Sequence, residues 1–484
     1  MNNPIRRLAL LAATMFAVLL VSTSIIQFFQ ASDLRNRPGN TRTLLATYAQ
    51  PRGSLLVGGE EVASSQPVDD QYKYQRVYPQ GRLYAHSTGY FSLLYGAGGG
   101  LESAANDLLT GEAGQLFYRR LGDLITGQTP SGATLELTID PLAQRAADRA
   151  LGDRRGAVVA LDPTTGAILA MVSHPNYDPN SLSTHNNEKV AQAWERLTQD
   201  SARPTVNRAI GGDLYPPGST FKLITAAAAL ESGNYGSDSR LPGPAELPLP
   251  GSTATLPNAS GQACDGGEVS LQRALQMSCN TAFGWLGQQL GGDALRGQAA
   301  KFGFGTQIDI PIAVTPSTVP TGTDQAQDIQ VAIGQYDVRS TPLQMAMVAA
   351  AIANKGTVMK PYLIAKTRGA DLEVIGETRP DRLGEAMSRS NAEALTQMMT
   401  TVVEGGTGRR AQISGISVAG KTGTAEHGEG RAPHAWFTSF APADDPKVAV
   451  AVVVEDGGVA GSEGGGGQVS APIAREVMEA VIKR

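Results

Sequence analysis

Residues 215–222 read YPPGSTFK and introduce an apolar, alanine-rich run, FKLITAAAAL, that ends near Gly233. Two prolines and a glycine predict a stiff turn, and the run after it predicts a buried helix. Ser219 stands at the start of that helix, where serine is also a favoured N-cap. Lys222 follows one helical turn later, so its amine and the Ser219 hydroxyl are predicted to share one face.

The pair Ser219 and Lys222 points to nucleophilic catalysis. A serine hydroxyl is a weak nucleophile until a nearby base takes its proton. A lysine at the start of an apolar helix can be desolvated until its neutral amine becomes accessible. The SxxK spacing alone is a weak signal, since roughly one match is expected by chance in a chain of this length. The choice between a catalytic pair and a simple N-cap therefore depends on the other motifs.

Composition limits the classes of function. The chain has 484 residues, 41% of them hydrophobic, and a formal net charge of −5, which gives no sign of nucleic-acid binding. Its length suggests roughly two to four domains. The two cysteines, Cys264 and Cys279, form no zinc motif, and the five histidines form no HExxH-like cluster. The sequence therefore predicts neither a metal site nor a cofactor.

The N-terminal region predicts a membrane anchor. Residues 8–26 carry no charge and follow Arg6 and Arg7. A run of this length spans a bilayer as one helix, and its basic flank predicts a cytoplasmic N-terminus. A cleaved signal peptide is the alternative, although the run is long for one and no clean cleavage site follows. Under either interpretation the rest of the chain lies outside the cytoplasmic membrane.

The remaining sequence predicts a smaller mixed domain at residues 31–133 and a larger domain after it. The larger domain starts with a hairpin at residues 156–172 and closes with three strands in VAGKTGTAE, HAWFTSFAP and KVAVAVVVE. Short connections favour antiparallel pairing of those strands. A sheet that joins both ends of the domain, with helices between, predicts an α/β (α+β layered) fold. Ser470 is predicted to cap the final helix.

Residues 415–422, GISVAGKT, match the P-loop pattern. A P-loop requires a helix directly after it, so that backbone amides and the helix N-terminus face phosphates. The sequence that follows, GTAEHGEGRAP, cannot continue as a helix. A strand that carries Lys421 fits this segment better than a nucleotide site.

Three motifs stand in order along the chain: Ser219 with Lys222, Ser278 with Asn280, and KTG from Lys421. Their order and spacing resemble the SxxK, SxN and KTG motifs of the penicillin-binding protein and serine β-lactamase superfamily. Longer stretches, NRAIGGDLYPPGSTFK, SCNTAF, IGQYDVRSTPLQMA and HAWFTSFAP, resemble the transpeptidase domain of class B penicillin-binding proteins, most closely their actinobacterial A-type members. RGSLLVGG and YPQGRLYAHSTGYFS resemble the N-terminal pedestal of that family.

The resemblance implies a serine β-lactamase/D,D-transpeptidase-like domain whose antiparallel sheet is flanked by helices. It implies a cytoplasmic tip and transmembrane signal anchor at residues 1–30, a pedestal domain that does not bind penicillin at 31–133, and a penicillin-binding transpeptidase domain at 134–484. The implied location is the cell membrane, crossed once, with the catalytic domain extracytoplasmic.

The resemblance also implies catalytic roles. Ser219 attacks the carbonyl between the two terminal D-alanines of a peptidoglycan stem peptide, with Lys222 as the general base. Ser278 relays a proton to the departing D-alanine. Asn280 hydrogen-bonds the substrate amide and fixes the Lys222 amine. An amine from a neighbouring stem then takes the acyl group, which cross-links the two stems.

Substrate binding is implied for the KTG segment. Lys421, a catalytic residue of the family, binds the terminal carboxylate together with Thr422, and Gly423 lets the substrate lie against the strand. Backbone N–H groups of Ser219 and Thr424 form the oxyanion hole.

The implied partners are stem peptides on lipid-linked precursor and nascent glycan, and β-lactams, which mimic D-Ala-D-Ala and leave a slowly hydrolysed ester on Ser219. No polymerase domain fits in residues 31–133, so the family implies a separate SEDS-type membrane glycosyltransferase.

A class A β-lactamase would need a deacylating glutamate, and residues 269–372 contain none. A D,D-carboxypeptidase and a non-catalytic sensor or scaffold are the other interpretations.

Two positions depart from the family pattern. Tyr336, in IGQY, stands where relatives often have glycine, which leaves the shape of that loop open. Cys279, the middle residue of SCN, could pair with Cys264 in an oxidising compartment. The bridge would close a loop of about fifteen residues and contribute roughly 3 kcal/mol. Two buried free thiols are the alternative.

Overall fold

The computed structural model describes residues 3–28, 48–113, 131–369, 371–428, 430–458 and 465–483. Its first element is a helix, Asn3–Phe28, as the apolar run near the N-terminus predicts. Its most apolar stretch is not buried against any of the other described residues. The length and composition of this helix are sufficient to cross a membrane.

A five-stranded antiparallel sheet, the central sheet, forms the middle of the larger domain. Its strands lie in the spatial order Ala419–Ala425, His434–Ala441, Val448–Val454, Gly156–Leu161 and Ile168–His174. The early hairpin therefore pairs with the three late strands, and the predicted layered fold is confirmed. The strand that carries Lys421 lies at one edge of the sheet, beside His434–Ala441.

Side chains of the central sheet point alternately to its two faces, as a period of two requires. Val450 and Val452 pack in one apolar layer with the helices Pro141–Leu151 and Ala471–Ile482. Ala451 and its alternate neighbours pack in the other layer, which includes the helix Pro342–Ala353. Because both faces of the sheet are covered, the sequences of its strands are nearly continuous apolar runs.

The other elements surround the central sheet or build the smaller domain. The helices are Gly81–Thr88, Gly100–Ala104, Asn106–Thr110, Asn180–Ser183, Asn187–Gln199, Lys222–Glu231, Leu271–Met277, Asn280–Leu290, Gly292–Lys301, Gln325–Val331 and Arg389–Glu404. Short strand pairs are Tyr90–Ser92 with Gly96–Gly98, Arg240–Pro242 with Glu268–Ser270, Glu246–Pro248 with Thr255–Pro257, Ile308–Asp309 with Ala313–Val314, and Thr357–Met359 with Arg382–Glu385.

The predicted N-cap at Ser470 is wrong. The residue already has helical backbone angles and makes no capping hydrogen bond. Its hydroxyl instead donates to the carbonyl oxygen of Ala435 at 2.8 Å, which ties the last helix to the central sheet. The hydroxyl thus donates to a distant carbonyl oxygen and does not accept from a backbone N–H of the helix that follows it.

A second sheet of six strands, the pedestal sheet, combines segments that are distant in sequence. Its spatial order is Val374–Glu377, Ile364–Arg368, Thr134–Leu137, Leu55–Val57, Glu60–Pro67 and Tyr74–Val77. Leu55–Val57 pairs in parallel with Thr134–Leu137, and the other pairs are antiparallel. The proposed boundary at residue 133 thus falls just before a strand of this sheet. Residues 31–47 and 114–130 of the predicted pedestal lie outside the described residues.

A buried ionic cluster lies beside the pedestal sheet. The Glu102 side chain is fully buried and accepts hydrogen bonds from Arg52 Nε at 2.5 Å and Arg76 Nε at 2.6 Å. Tyr78 donates its hydroxyl to the same carboxylate at 3.1 Å. Burial by itself would raise the pKa of Glu102, but the two guanidinium groups outweigh it and hold this pKa below its usual value.

We expect Glu102→Gln to lower the free energy of unfolding by about 3 kcal/mol near neutral pH, because two buried guanidinium groups lose their counter-charge. The folded-state pKa of Glu102 is lowered, so its stabilisation exists above the unfolded-state pKa of about 4.3 and is lost as pH falls through the folded value. Thermal unfolding across pH measures both effects. The exposed Glu112→Gln is the matched control, and equal unfolding curves for the two variants would contradict this role for Glu102.

Candidate active site

The Ser219 segment forms a tight turn rather than the first turn of an α-helix. Gly218–Phe221 is a 3₁₀ turn, and the helix Lys222–Glu231 follows at once. Gly218 has φ +54°, and a Cβ there would lie 2.5 Å from the carbonyl oxygen of Thr424. Only glycine permits this approach. Ser219 is 3% exposed and lines a cavity of about 420 Å³, so the turn presents the serine to an open cleft.

Lys222 lies one turn further on, with no exposed surface. Its amine donates to the Ser278 carbonyl oxygen at 2.8 Å, to the Ser278 hydroxyl at 3.2 Å and to Asn280 Oδ1 at 2.6 Å. The structure therefore brings the SxxK and SxN motifs into direct contact.

Ser278 occupies the break between the helices Leu271–Met277 and Asn280–Leu290. Its backbone is left-handed, with φ 61° and ψ 42°, a conformation uncommon for residues other than glycine. The buried Lys421 amine donates to the Ser278 hydroxyl at 2.8 Å and to the Thr422 carbonyl oxygen at 2.9 Å. The Ser278 hydroxyl thus joins both lysines, and all three motifs meet at one oxygen atom.

The Lys421 strand is fitted closely to the serine turn. A Cβ at Gly423 would lie 2.9 Å from Thr220 Cγ2 and 3.0 Å from the Pro217 carbonyl oxygen. The turn that carries Ser219 therefore occupies the space beside Gly423. Thr422 Oγ1 lies 2.6 Å from Thr407 Oγ1. Thr424 Oγ1 is buried and has no hydrogen-bond partner among the described residues, although Thr424 lines the cavity.

Asn258 supports the SxN motif from a stretch whose composition predicts only a surface loop. Its Oδ1 accepts the backbone N–H of Asn280 at 2.9 Å and that of Thr281 at 3.1 Å. Its Nδ2 donates to the Pro244 carbonyl oxygen at 2.9 Å. Sequence reasoning missed Asn258, since only the Pro/Gly/Ser-rich context was visible and no local motif marks the residue.

A disulfide joins Cys264 to Cys279, with an S–S distance of 2.02 Å. Both half-cystines are buried next to the Asn258 segment. The bridge therefore links the SxN motif covalently to the loop that supplies Asn258.

Tyr336 has φ +60° and is 44% exposed at the wall of the cleft. A positive φ is a conformation that glycine adopts without strain. The departure from the family pattern at this position thus places a bulky residue in a backbone shape suited to glycine.

One trio among the described residues has metal-ligand atoms close together: His427, His434 and Asp456, all within 4.8 Å. The two imidazole rings are stacked 3.5 Å apart at 10°, so one ion cannot lie in both ring planes. Asp456 also pairs with Arg431 at 2.8 Å. Burial, with His427 alongside, lowers the pKa of His434 to about 4. This corner suits an ion-paired cluster better than a metal site.

The P-loop match at residues 415–422 continues into the strand Ala419–Ala425 rather than into a helix. The Lys421 amine points to Ser278, so the segment belongs to the cleft described above.

Comparison with known proteins agrees with this arrangement. A family model for the penicillin-binding protein transpeptidase domain matches residues 156–479, and one for the penicillin-binding protein A dimerisation domain matches residues 52–135. The chain belongs to the penicillin-binding protein family. The resemblance inferred from its motifs is confirmed, and the chain is a transpeptidase of that family. The helix Asn3–Phe28 fits a single-pass membrane anchor in such a protein.

Individual relatives are similar over their full length. Peptidoglycan D,D-transpeptidase PbpA of Mycolicibacterium smegmatis is 46% identical, over 100% of this chain and 99% of the relative. The PbpA of Mycobacterium tuberculosis is 44% identical, with the same coverage of 100% and 99%. A solved structure of penicillin-binding protein A from M. tuberculosis, as a ceftriaxone acyl-enzyme complex, has a TM-score of 0.86 at 44% identity and covers 90% of this chain and 100% of that one.

We expect Asn258→Ala to destabilise the SxN region by about 1–3 kcal/mol, because two backbone N–H groups lose their acceptor. Asn280 would then hold the Lys222 amine less firmly, and acylation by penicillin should slow by more than the fall in stability explains. Stopped-flow acylation rates at a temperature where the protein is fully folded measure this, with the exposed Asn234→Ala as control. An unchanged acylation rate would contradict the supporting role of Asn258.

Proposed function

We propose that this penicillin-binding protein is a peptidoglycan D,D-transpeptidase that cross-links stem peptides through an ester on Ser219. The observation that carries the proposal is the Ser278 hydroxyl, within 3.2 Å of the Lys222 amine and 2.8 Å of the Lys421 amine, beside the serine turn. This arrangement supplies a base, a proton relay and a cation around one nucleophile. The full-length similarity to named D,D-transpeptidases supports the same reaction.

Acylation uses the first two motifs. Ser219 Oγ attacks the carbonyl between the terminal D-alanines, and its proton passes to Lys222. A second cation, Lys421, lies close by and disfavours the ammonium form of Lys222. The C–N bond to the last D-alanine then breaks, and Ser278 relays a proton to the leaving amine. Asn280 holds both the Lys222 amine and the substrate amide.

Substrate binding uses the edge of the central sheet. Lys421 and Thr422 receive the terminal carboxylate of the donor. Thr424, whose hydroxyl has no hydrogen-bond partner among the described residues, lines the Ser219 cavity. The close fit at Gly423 keeps Ser219 near this strand. Backbone N–H groups of Ser219 and Thr424 form the oxyanion hole, an effect typically worth about 3–4 kcal/mol per donor.

The proposed domain division is an anchor at residues 1–30, a pedestal at 31–133 and a transpeptidase domain at 134–484. The family matches at residues 52–135 and 156–479 support it. The proposed orientation has a cytoplasmic N-terminus and an extracytoplasmic catalytic domain. The Cys264–Cys279 disulfide supports this orientation, because such bonds persist in oxidising compartments.

We expect penicillin to leave a single, long-lived adduct on the wild-type protein and none on Ser219→Ala. Intact-mass spectrometry over hours measures both the mass and the lifetime of the adduct. The exposed Ser201→Ala should label like the wild type. A transient adduct with steady loss of the drug would make the protein a β-lactamase, and an adduct on Ser219→Ala would refute the assignment of the nucleophile.

We also propose a SEDS-type membrane glycosyltransferase as partner, contacted through the anchor and the pedestal. Replacing the helix Asn3–Phe28 with an unrelated membrane-spanning helix should reduce co-purification of that polymerase from membranes, as should L94D/Y95D at two exposed apolar residues of the pedestal. Ser219→Ala should bind normally, since the cleft is not involved. Full retention of the polymerase by both altered proteins would refute this contact.

A further inference from the structure

Glu426 is an exposed carboxylate directly after the strand Ala419–Ala425, which carries Lys421. It lines the Ser219 cavity and also a second cavity of about 430 Å³. Among the described residues, Glu426 and Tyr336 line both, so the cavities meet at this pair. Glu426 therefore lies between the second cavity and the cavity that Ser219 lines.

Among the described residues, the Glu426 carboxylate has neither a hydrogen bond nor an ion pair. The other carboxylates in the described lining of the second cavity form ion pairs. Glu455 accepts from Arg208 at 2.7 Å and from Arg155 at 2.9 Å, and Asp213 pairs with Arg203. Within the described lining of the Ser219 cavity, Glu426 is also the one side chain that is charged at neutral pH. The described lining of the Ser219 cavity therefore carries one negative charge. The second cavity also holds four arginines, each paired with an acidic residue: Arg155 with Glu455, Arg203 with Asp213, Arg339 with Asp337 and Arg431 with Asp456.

The two ends of the cleft differ in charge. The buried amine of Lys421 lies behind Ser278 and attracts the carboxylate of the donor. Glu426 would repel that carboxylate, so it does not belong to the site of the donor terminus. Transpeptidation has a second substrate of the opposite charge, because an alkyl amine in neutral water is an ammonium ion.

We propose that Glu426 binds the ammonium group of the acceptor stem peptide, which enters through the second cavity. This inference rests on the proposed transpeptidase function and adds an acceptor site to it. The new C–N bond forms as the ester bond to Ser219 breaks. The ammonium nitrogen loses two protons, one of which returns to the Ser219 oxygen while the other goes to solvent. Glu426 is an acceptor-binding residue and not the base of this step.

The test uses the full-length protein in detergent with nascent, uncross-linked glycan strands that carry pentapeptide stems. Three products are counted by chromatography: cross-linked dimers, stems trimmed by hydrolysis, and hydroxamates formed when hydroxylamine is added. Hydroxylamine is uncharged at neutral pH and should not depend on Glu426. Penicillin acylation of the same samples reports the first half of the reaction.

We expect Glu426→Gln to lower the ratio of dimers to trimmed stems about fivefold, the size of one exposed ion pair. Hydroxamate formation and penicillin acylation should stay at wild-type levels, and Glu426→Asp should restore most of the cross-linking. The exposed Glu188→Gln, on the helix Asn187–Gln199, carries the same charge change outside the described linings of both cavities and should behave as wild type.

Three results would overturn the inference. An unchanged dimer ratio in Glu426→Gln would show that the acceptor does not use this carboxylate. A matching fall in acylation by the pentapeptide donor would assign Glu426 to the donor. Loss of trimmed stems instead of dimers would make Glu426 a residue that activates water. If the wild type forms no ester on Ser219, the proposed function itself fails, which is a distinct outcome.

Discussion

The cleft depends on one hydroxyl group shared by two buried lysines. Ser278 Oγ lies 3.2 Å from the Lys222 amine and 2.8 Å from the Lys421 amine, and neither lysine has exposed surface. Two ammonium ions this close in a buried site repel each other. The Ser278 hydroxyl accepts a hydrogen bond from each amine. The Ser278 carbonyl oxygen and Asn280 Oδ1 accept from Lys222, and the Thr422 carbonyl oxygen accepts from Lys421.

Close backbone packing fixes the turn that carries Ser219, the proposed nucleophile. The Gly218 N–H donates to the Gly334 carbonyl oxygen at 2.9 Å, and a Cβ at Gly334 would lie 2.2 Å from the Gly218 carbonyl oxygen. On the other side, Gly423 leaves room for the same turn. Trp436 Nε1 donates to the Pro216 carbonyl oxygen at 3.1 Å from the next strand. These contacts fix the backbone of the turn from two sides, and so they fix the position of Ser219.

Sequence reasoning predicted those features that have a local cause. The proline turn, the apolar helix from Lys222 and the alternation of the late strands all depend on neighbouring residues, and the layered fold follows from them. The motif residues were found by their order, and the structure brings Ser219, Lys222, Ser278, Asn280 and Lys421 together.

Features that depend on distant contacts could not be predicted. Asn258 reaches the Asn280 backbone across 22 positions, from a stretch that composition assigns to a loop. Ser470 finds its acceptor on another strand, so its N-cap signal was misleading. Ser278 has its positive φ at the break between two helices, and no feature of the SCN sequence predicts that conformation.

The pedestal sheet has a mechanical consequence. Leu55–Val57 lies directly between Thr134–Leu137 and Glu60–Pro67, so its backbone hydrogen bonds tie the N-terminal segments to the strand Ile364–Arg368 beyond. A rotation of the strands before residue 133 relative to Thr134–Leu137 would break the hydrogen bonds of this continuous sheet. A fragment that begins at residue 134 would also expose the unpaired edge of the strand Thr134–Leu137. Unpaired strand edges can pair with strands of other chains and so promote aggregation.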